Sequence, residues 1–363
     1  MNSYVFLADA FGYGPITTSC LIAKKLKEKS KNKFIFIGPS YCIEKARKEQ
    51  IFDEYIECAY EPRKIEKCIE YFINANKIIA TETTDILIYL INNYNLNNIY
   101  LIDNLFWMWD FLEDELRNIK KYYISNIIDV SENIERIASD YTNLKIVGSL
   151  RKMSTFRQCG NNKNLIISLG GAESYLIDQN IIQEFYYKTI NTILANKNIK
   201  NFNNIYITGG KGIIEYLNGK IKSENIIIDS YDNDTYLKIL RSCSHAIMAP
   251  GLGNFNEIIS TDIIVMFLLP INYSQYLQRL AYKDYDASLY FQENSKEVMI
   301  ERFLSEEVGV NKVITNIKKY NYDFKELDAF LKDNDHRSNK RRRLYDSIPK
   351  NGIDEVCEDI ERS

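Results

Sequence analysis

The stretch Ala246–Gln278, AIMAPGLGNFNEIISTDIIVMFLLPINYSQYLQ, narrows the choice of fold more than any other part of the chain. Ala246 to Ala249 is an apolar run of strand length, and Pro250, Gly251 and Gly253 break it into a turn. A helix is expected to start there, with Asn254 or Asn256 as its N-cap and Glu257 in its first turn, where the helix dipole favours a carboxylate. A second apolar strand, Ile263 to Leu269, stops at Pro270, and the segment behind it carries Asn272, Tyr273, Ser274, Gln275, Tyr276 and Gln278. Strand, glycine turn, helix, strand and polar loop make a Rossmann-type unit, whose ligands sit at the carboxyl ends of the strands. Bare amides at the helix start suit an anion, although similar turns also occur in α/β units that bind nothing there.

The same grammar runs through the chain. Apolar runs at 4–8, 33–37, 77–80, 98–102, 124–128 and 144–147 alternate with helical stretches, and Gly12, Tyr13 and Gly14 lie in a turn behind the first of them. After Gly148 and Ser149, which open a linker, the pattern begins anew with strands at 165–169, 204–208 and 226–228, the first two closed by glycine pairs Gly170–Gly171 and Gly209–Gly210. This alternation predicts α/β architecture with parallel sheets covered by helices on both faces. We expect a Rossmann-like domain over residues 1–150 and a second over 151–320, then a helix at 321–335 that returns to the first domain, and a charged, solvated tail at 336–363 that includes HRSNKRRRLYD.

A net charge of −3 implies no bulk attraction to nucleic acid or to an anionic membrane. The seven cysteines are scattered, with no CxxC pair and no nearby histidine cluster, which fits reduced thiols in a cytoplasmic protein. Neither a secretory segment nor an apolar run long enough to span a bilayer is present. Oligomeric state leaves no mark. Both tryptophans lie in DNLFWMWD, directly behind the strand that ends at Ile102, so Trp107 and Trp109 are candidate walls for a flat or lipidic acceptor, or a core contact.

In the order ISLGGAES, IYITGG, CSHAIMAPGLGNFNEII and FLLPINYSQYLQ, the carboxyl half resembles the nucleotide-sugar-binding domain of MurG-type glycosyltransferases of the GT-B fold. The FGYGP turn resembles that group's acceptor domain, and VGSLR resembles its interdomain linker. The resemblance implies two Rossmann-like domains facing across a cleft and transfer of a sugar from a UDP-sugar, a co-substrate rather than a cofactor, to a small-molecule acceptor. It implies that Gly170, Gly171, Ala172, Gly251 and Gly253 approach the donor's diphosphate, that Gly209 and Asn254 belong to the donor site, and that Glu257 takes the ribose hydroxyls. Asn272, Gln275 and Gln278 would take the sugar hydroxyls, though the paired glutamines are spaced differently here. Gly12, Tyr13 and Gly14 would line the acceptor side, with Trp107 and Trp109.

The group's histidine beside its first glycines is missing. With two histidines in the chain, His245 and His336, a base must be a carboxylate: Asp9 and Asp103 stand best at strand ends, and Glu82 follows. The Asp232-x-Asp234 string reads as a helix cap rather than a metal site, so no metal is expected. The FGYGP turn and DNLFWMW together also resemble cytosylglucuronate synthases, which would make the transfer one of glucuronate to a pyrimidine base. A nucleotide-sugar hydrolase or epimerase of the same fold is the alternative, and a catalytically inactive member of the fold is a third.

Overall fold

The structure, a computed structural model, describes residues 2–363 except 11–13, 152, 154, 158–161, 172–175, 222, 286, 323 and 335–337, and leaves aside the side chains of 233 and 338. Gly12, Tyr13, Ala172 and His336 therefore lie outside the described residues. The chain divides into two compact units, residues 1–152 with 348–363, and residues 153–347.

The first unit is built on seven parallel strands: β1 Ser3–Ala8, β2 Lys33–Gly38, β3 Glu54–Glu57, β4 Lys77–Thr81, β5 Ile99–Asp103, β6 Lys121–Ser125 and β7 Leu144–Val147. Their order is β3-β2-β1-β4-β5-β6-β7, so the chain reverses its direction of travel across the sheet between β1 and β4. Crossover helices cover both faces, and the central strands are correspondingly buried: every residue of β5 is buried, whereas the edge strand β3 has a glutamate at each end and stays partly exposed.

The second unit repeats the plan with β8 Asn164–Ser168, β9 Asn204–Thr208, β10 Ile226–Asp229, β11 His245–Met248, β12 Ile264–Phe267 and β13 Tyr290–Phe291, in the order β10-β9-β8-β11-β12-β13. Its reversal falls between β8 and β11, where Met248 pairs with Ser168. His245 is a structural histidine. It is buried edge-on to Phe202 and Phe330, and its Nε2 meets the Asp333 carbonyl at 3.0 Å. That bond ties the helix Leu327–Lys332, expected to cross back to the first domain, to the second unit instead.

The return is made further on, and residues 338–363 are not a solvated tail. Helix Ser338–Ser347 buries Arg341, whose guanidinium donates to the carbonyls of Ala287 and Ile258 at 3.1 and 3.2 Å. Helix Gly352–Arg362 then joins the first unit, setting Val356, Cys357 and Ile360 into the same core as Ile22 and Leu26. Around it, Ser149 N donates to the Pro349 carbonyl at 2.7 Å, Gly148 N donates to Glu355 at 3.1 Å, and Lys25 pairs with Asp354 at 2.9 Å. The backbones touch at two glycines: a Cβ on Gly352 would sit 2.2 Å from the Gly148 oxygen. No helix among the described residues is long and apolar enough to cross a membrane. Replacing Gly352→Ala forces this contact apart, and we expect a loss of about 1–3 kcal/mol in a denaturant titration.

Candidate functional site

Both reversal points place polar groups at carboxyl strand ends, and the two edges differ in chemistry. In the first unit, β4 and β5 each run through apolar residues into a carboxylate. Asp103, the last residue of β5, is buried and accepts hydrogen bonds from Leu105 N at 2.6 Å, Trp109 Nε1 at 2.7 Å and Tyr122 Oη at 2.7 Å. Burial pushes its pKa up while these donors oppose the shift. Its lone pairs are engaged in holding the aromatic loop in place. That loop is tied down elsewhere too: Trp107 is buried with its indole donating to the Asn104 carbonyl at 3.0 Å, and Asn133 and Arg136 both donate to the Trp109 carbonyl at 3.0 Å. Trp109 is the half-buried ring of the two.

Glu82 follows β4 with φ +60, a left-handed backbone that side-chain-bearing residues seldom adopt and that tends to mark functional positions. One carboxylate oxygen accepts from Asn104 Nδ2 at 2.8 Å. Desolvation, then the negative charges of Asp103 and Asp9, push the Glu82 pKa up to about 8, against the opposing pull of Asn104 and Arg151. Asp9 is partly buried beyond β1, its amide donating to the Thr81 carbonyl at 3.0 Å. The three carboxylates named from the sequence thus share one strand edge.

Gly14 opens the helix Gly14–Lys29 beside them, and its carbonyl accepts from Arg151 at 3.2 Å and from Thr18 Oγ1 at 3.2 Å. Thr18 Oγ1 in turn lies 3.4 Å from Asn104 Nδ2. Asn104 and Thr18 escaped the sequence reading. The Asp-Asn pair closing an apolar strand was a usable signal for the former, while nothing singled out Thr18 on its helix.

In the second unit, Gly170 stands just past β8 with φ +66. Gly251 and Gly253, behind β11, have nothing within 4 Å of where a Cβ would be, so packing does not demand glycine there. Gly209 differs, since a Cβ would press on Ile213 at 3.1 Å and Leu169 at 3.2 Å, a packing reason for glycine. The helix begins earlier than expected. Its N-cap is Gly251, its span is Leu252–Ile258, and neither Asn254 nor Asn256 caps it. Glu257 accordingly falls in the last turn, because the glycine turn is tighter than its sequence suggested.

Asn254 instead binds inward. Its Nδ2 donates to the Ala249 carbonyl at 2.9 Å, and its Oδ1 lies 3.3 Å from both Ser168 Oγ and Tyr236 Oη. Burial, and then the negative charge of Glu257, push the Tyr236 phenol well up. Tyr236, on helix Asn233–Ser242, was not foreseen, because its position looks like any other on an amphipathic helix. Asp232 caps that helix by accepting from Thr235 N at 2.9 Å.

The polar segment after β12 is largely self-contained. Asn272 caps the helix Tyr273–Asp284 and accepts from Gln275 N at 2.8 Å, while Gln275 Oε1 accepts from Ile271 N at 3.1 Å. Gln278 is buried with Oε1 unpartnered.

No family model and no curated protein sequence matches the chain. Solved structures do. MurG of Acinetobacter baumannii is similar over 100% of both chains, with a TM-score of 0.56 and 12% identity. The spinosyn rhamnosyltransferase SpnG also covers 100% of both, with a TM-score of 0.63 and 9% identity. Phytolacca americana UGT2, solved with UDP-2fluoro-glucose and pterostilbene, covers 99% of this chain and 100% of its own, with a TM-score of 0.59 and 10% identity. At such identities the likeness is one of fold, and the fold is that of the GT-B glycosyltransferases.

Glu82 makes the folded state sensitive to pH. The folded chain holds its proton up to about pH 8, and an unfolded one releases it near 4.5, so this residue's share of stability is present below the lower value and declines as pH rises through that window. Glu82→Gln removes the share. Melting temperatures from about pH 5 to about pH 9 are expected to fall less steeply in the variant.

Proposed function

We propose that the chain is a glycosyltransferase that moves a sugar from a UDP-sugar to a small-molecule acceptor without a metal. The reading rests on one observation: glycines with no packing role, Gly251 and Gly253, stand at the reversal point of the second sheet of a GT-B fold. Glycine leaves backbone amides open to a diphosphate there, and Gly170 and Gly171 supply the same kind of turn behind the neighbouring strand. Fixed dipoles then offset the charge that grows on the departing diphosphate. The nearby Asp232 of the Asp-x-Asp string is occupied as a helix cap.

In this reaction the acceptor's nucleophilic atom bonds to the sugar's anomeric carbon as the bond to the diphosphate oxygen breaks, and the acceptor's proton passes to a base. Glu82 is that base. Its raised pKa favours taking a proton near neutrality, while Asp103 is committed to three donors and lends only its charge. Trp109 rather than the buried Trp107 is the ring that meets a flat acceptor, and glucuronate transfer to a pyrimidine base is the specific case we favour.

A donor screen tests the reading. Purified protein is incubated with UDP-glucose, UDP-N-acetylglucosamine, UDP-galactose or UDP-glucuronate in EDTA, with and without cytosine or a cell extract, and UDP release is followed. Release that depends on acceptor is the expected outcome. Donor consumption without acceptor would replace it with a hydrolase or epimerase, and absence of donor binding would remove it altogether. Glu82→Gln is expected to lower turnover about 10²–10⁴-fold, and the wild-type rate to rise with pH through about 8 as the carboxylate ionises. Gly253→Ala separates function from folding: within a helix the change is expected to stabilise by about 0.5–1 kcal/mol, while a donor titration shows weaker binding.

A further inference from the structure

A chain of polar groups ends on Glu82, and counting protons fixes the direction of each bond in it. Thr18 Oγ1 donates its proton to the Gly14 carbonyl at 3.2 Å, which leaves that oxygen as an acceptor. Asn104 Nδ2 lies 3.4 Å from Thr18 Oγ1 and 2.8 Å from Glu82 Oε1, so the amide nitrogen offers one N–H to each. The opposite orientation would set the amide oxygen against the Glu82 carboxylate and give the single Thr18 proton a second acceptor. Asn104 is buried, and its backbone carbonyl accepts from the Trp107 indole at 3.0 Å. The donor is therefore held in place from both sides.

We propose that Asn104 is a positioning residue for Glu82: its amide holds the inner carboxylate oxygen in both protonation states, so that the proton taken from an acceptor is carried on the outer one. This rests on the reading of Glu82 as the base given above. An amide N–H is satisfied by a carboxylate oxygen and by the carbonyl oxygen of a carboxylic acid alike, so nothing need rearrange when the proton arrives. A proton on the inner oxygen would instead face an N–H. Glu82 is partly exposed while Asn104 is buried, which leaves the outer oxygen as the one an acceptor reaches. The charged groups around Glu82 are Asp103 at the end of β5, Asp9 beyond β1 and Arg151 beyond β7. The two carboxylates favour the protonated form, and Asn104 and Arg151 the ionised one. Asn104 thus keeps a share of the base ionised near neutrality while it aims the reacting oxygen.

A double-mutant cycle on the full chain, read by melting temperature from about pH 5 to about pH 10, tests this. The difference between chains with Glu82 and with Glu82→Gln isolates the titration of this one group. Because its folded pKa is the raised one, that difference falls as pH rises and levels off near about pH 8. With Asn104→Leu in both chains it is expected to keep falling to about pH 9 or beyond, the roughly tenfold or greater gain in proton affinity that follows loss of a hydrogen bond to a charged group. A residue that only packs would lower both curves and leave the levelling point where it was. A levelling point that stays or moves down overturns the proposal. Should Asn104→Leu not fold, Asn104→Asp takes its place, since it removes the N–H and adds a negative charge, and both push the levelling point up. In the transfer assay, the inflection of rate against pH is expected to move up with it. A levelling point that moves while Glu82→Gln leaves turnover untouched would remove Glu82 as the base, and the role of its outer oxygen with it.

Discussion

Parallel pairing is the constraint on which everything else depends. Each pairing between the named strands is parallel, and a parallel pair cannot be closed by a tight turn, so each link must cross over the sheet. The crossings bring helices onto both faces, and the central strands must then be apolar on both sides. Polar chemistry is driven to the strand ends. The closing residues show it: Thr81, Asp103, Ser125, Ser168, Thr208 and Asp229 are the polar last residues of β4, β5, β6, β8, β9 and β10. Because all strands of a sheet point the same way, these ends collect on one edge.

The two edges are put to opposite electrostatic uses. In the first unit the edge gathers negative charge into a poorly solvated place, which raises proton affinity at Glu82. In the second it offers amides and neutral oxygens around glycines with room to spare, an arrangement that receives an anion. One fold, used twice, thus carries a carboxylate of raised proton affinity in one unit and roomy glycine turns in the other, which the proposed transfer would use as base and anion holder. The difference lies in a few residues after each strand, a general feature of sheets whose function sits in their loops.

Most of the fold was legible because parallel central strands are nearly continuous apolar runs, such as Leu165 to Leu169, bounded by glycine. What misled the reading was local. Asn254 is a good N-cap residue by type, yet Gly251 caps the helix and Asn254 turns inward to Ala249. Asn272 and Gln275 have the chemistry to hold a sugar, and each is engaged with the backbone of its own helix start. The chain beyond Asp335 looks solvated because charges crowd it. Among the described residues its buried apolar side chains are Ile348, Val356, Cys357 and Ile360, and its buried cation, Arg341, is accommodated by carbonyls that no sequence pattern reveals.

The ranking of the carboxylates shows where sequence runs out. Asp103 ends a strand beside two tryptophans, and residue type alone makes it the better base. In the fold those neighbours engage it: an indole N–H, a phenol and a backbone amide donate to its oxygens. Burial raises the Asp103 pKa while those donors oppose the rise, and its negative charge raises the proton affinity of the acid beside it. Glu82 is that acid, with only Asn104 donating to it among the described contacts and a left-handed backbone to turn it out of the strand line. Asp103 thus acts on Glu82 as an electrostatic neighbour, and the aromatic loop, by anchoring Asp103, helps to set the proton affinity of Glu82 without touching the proton.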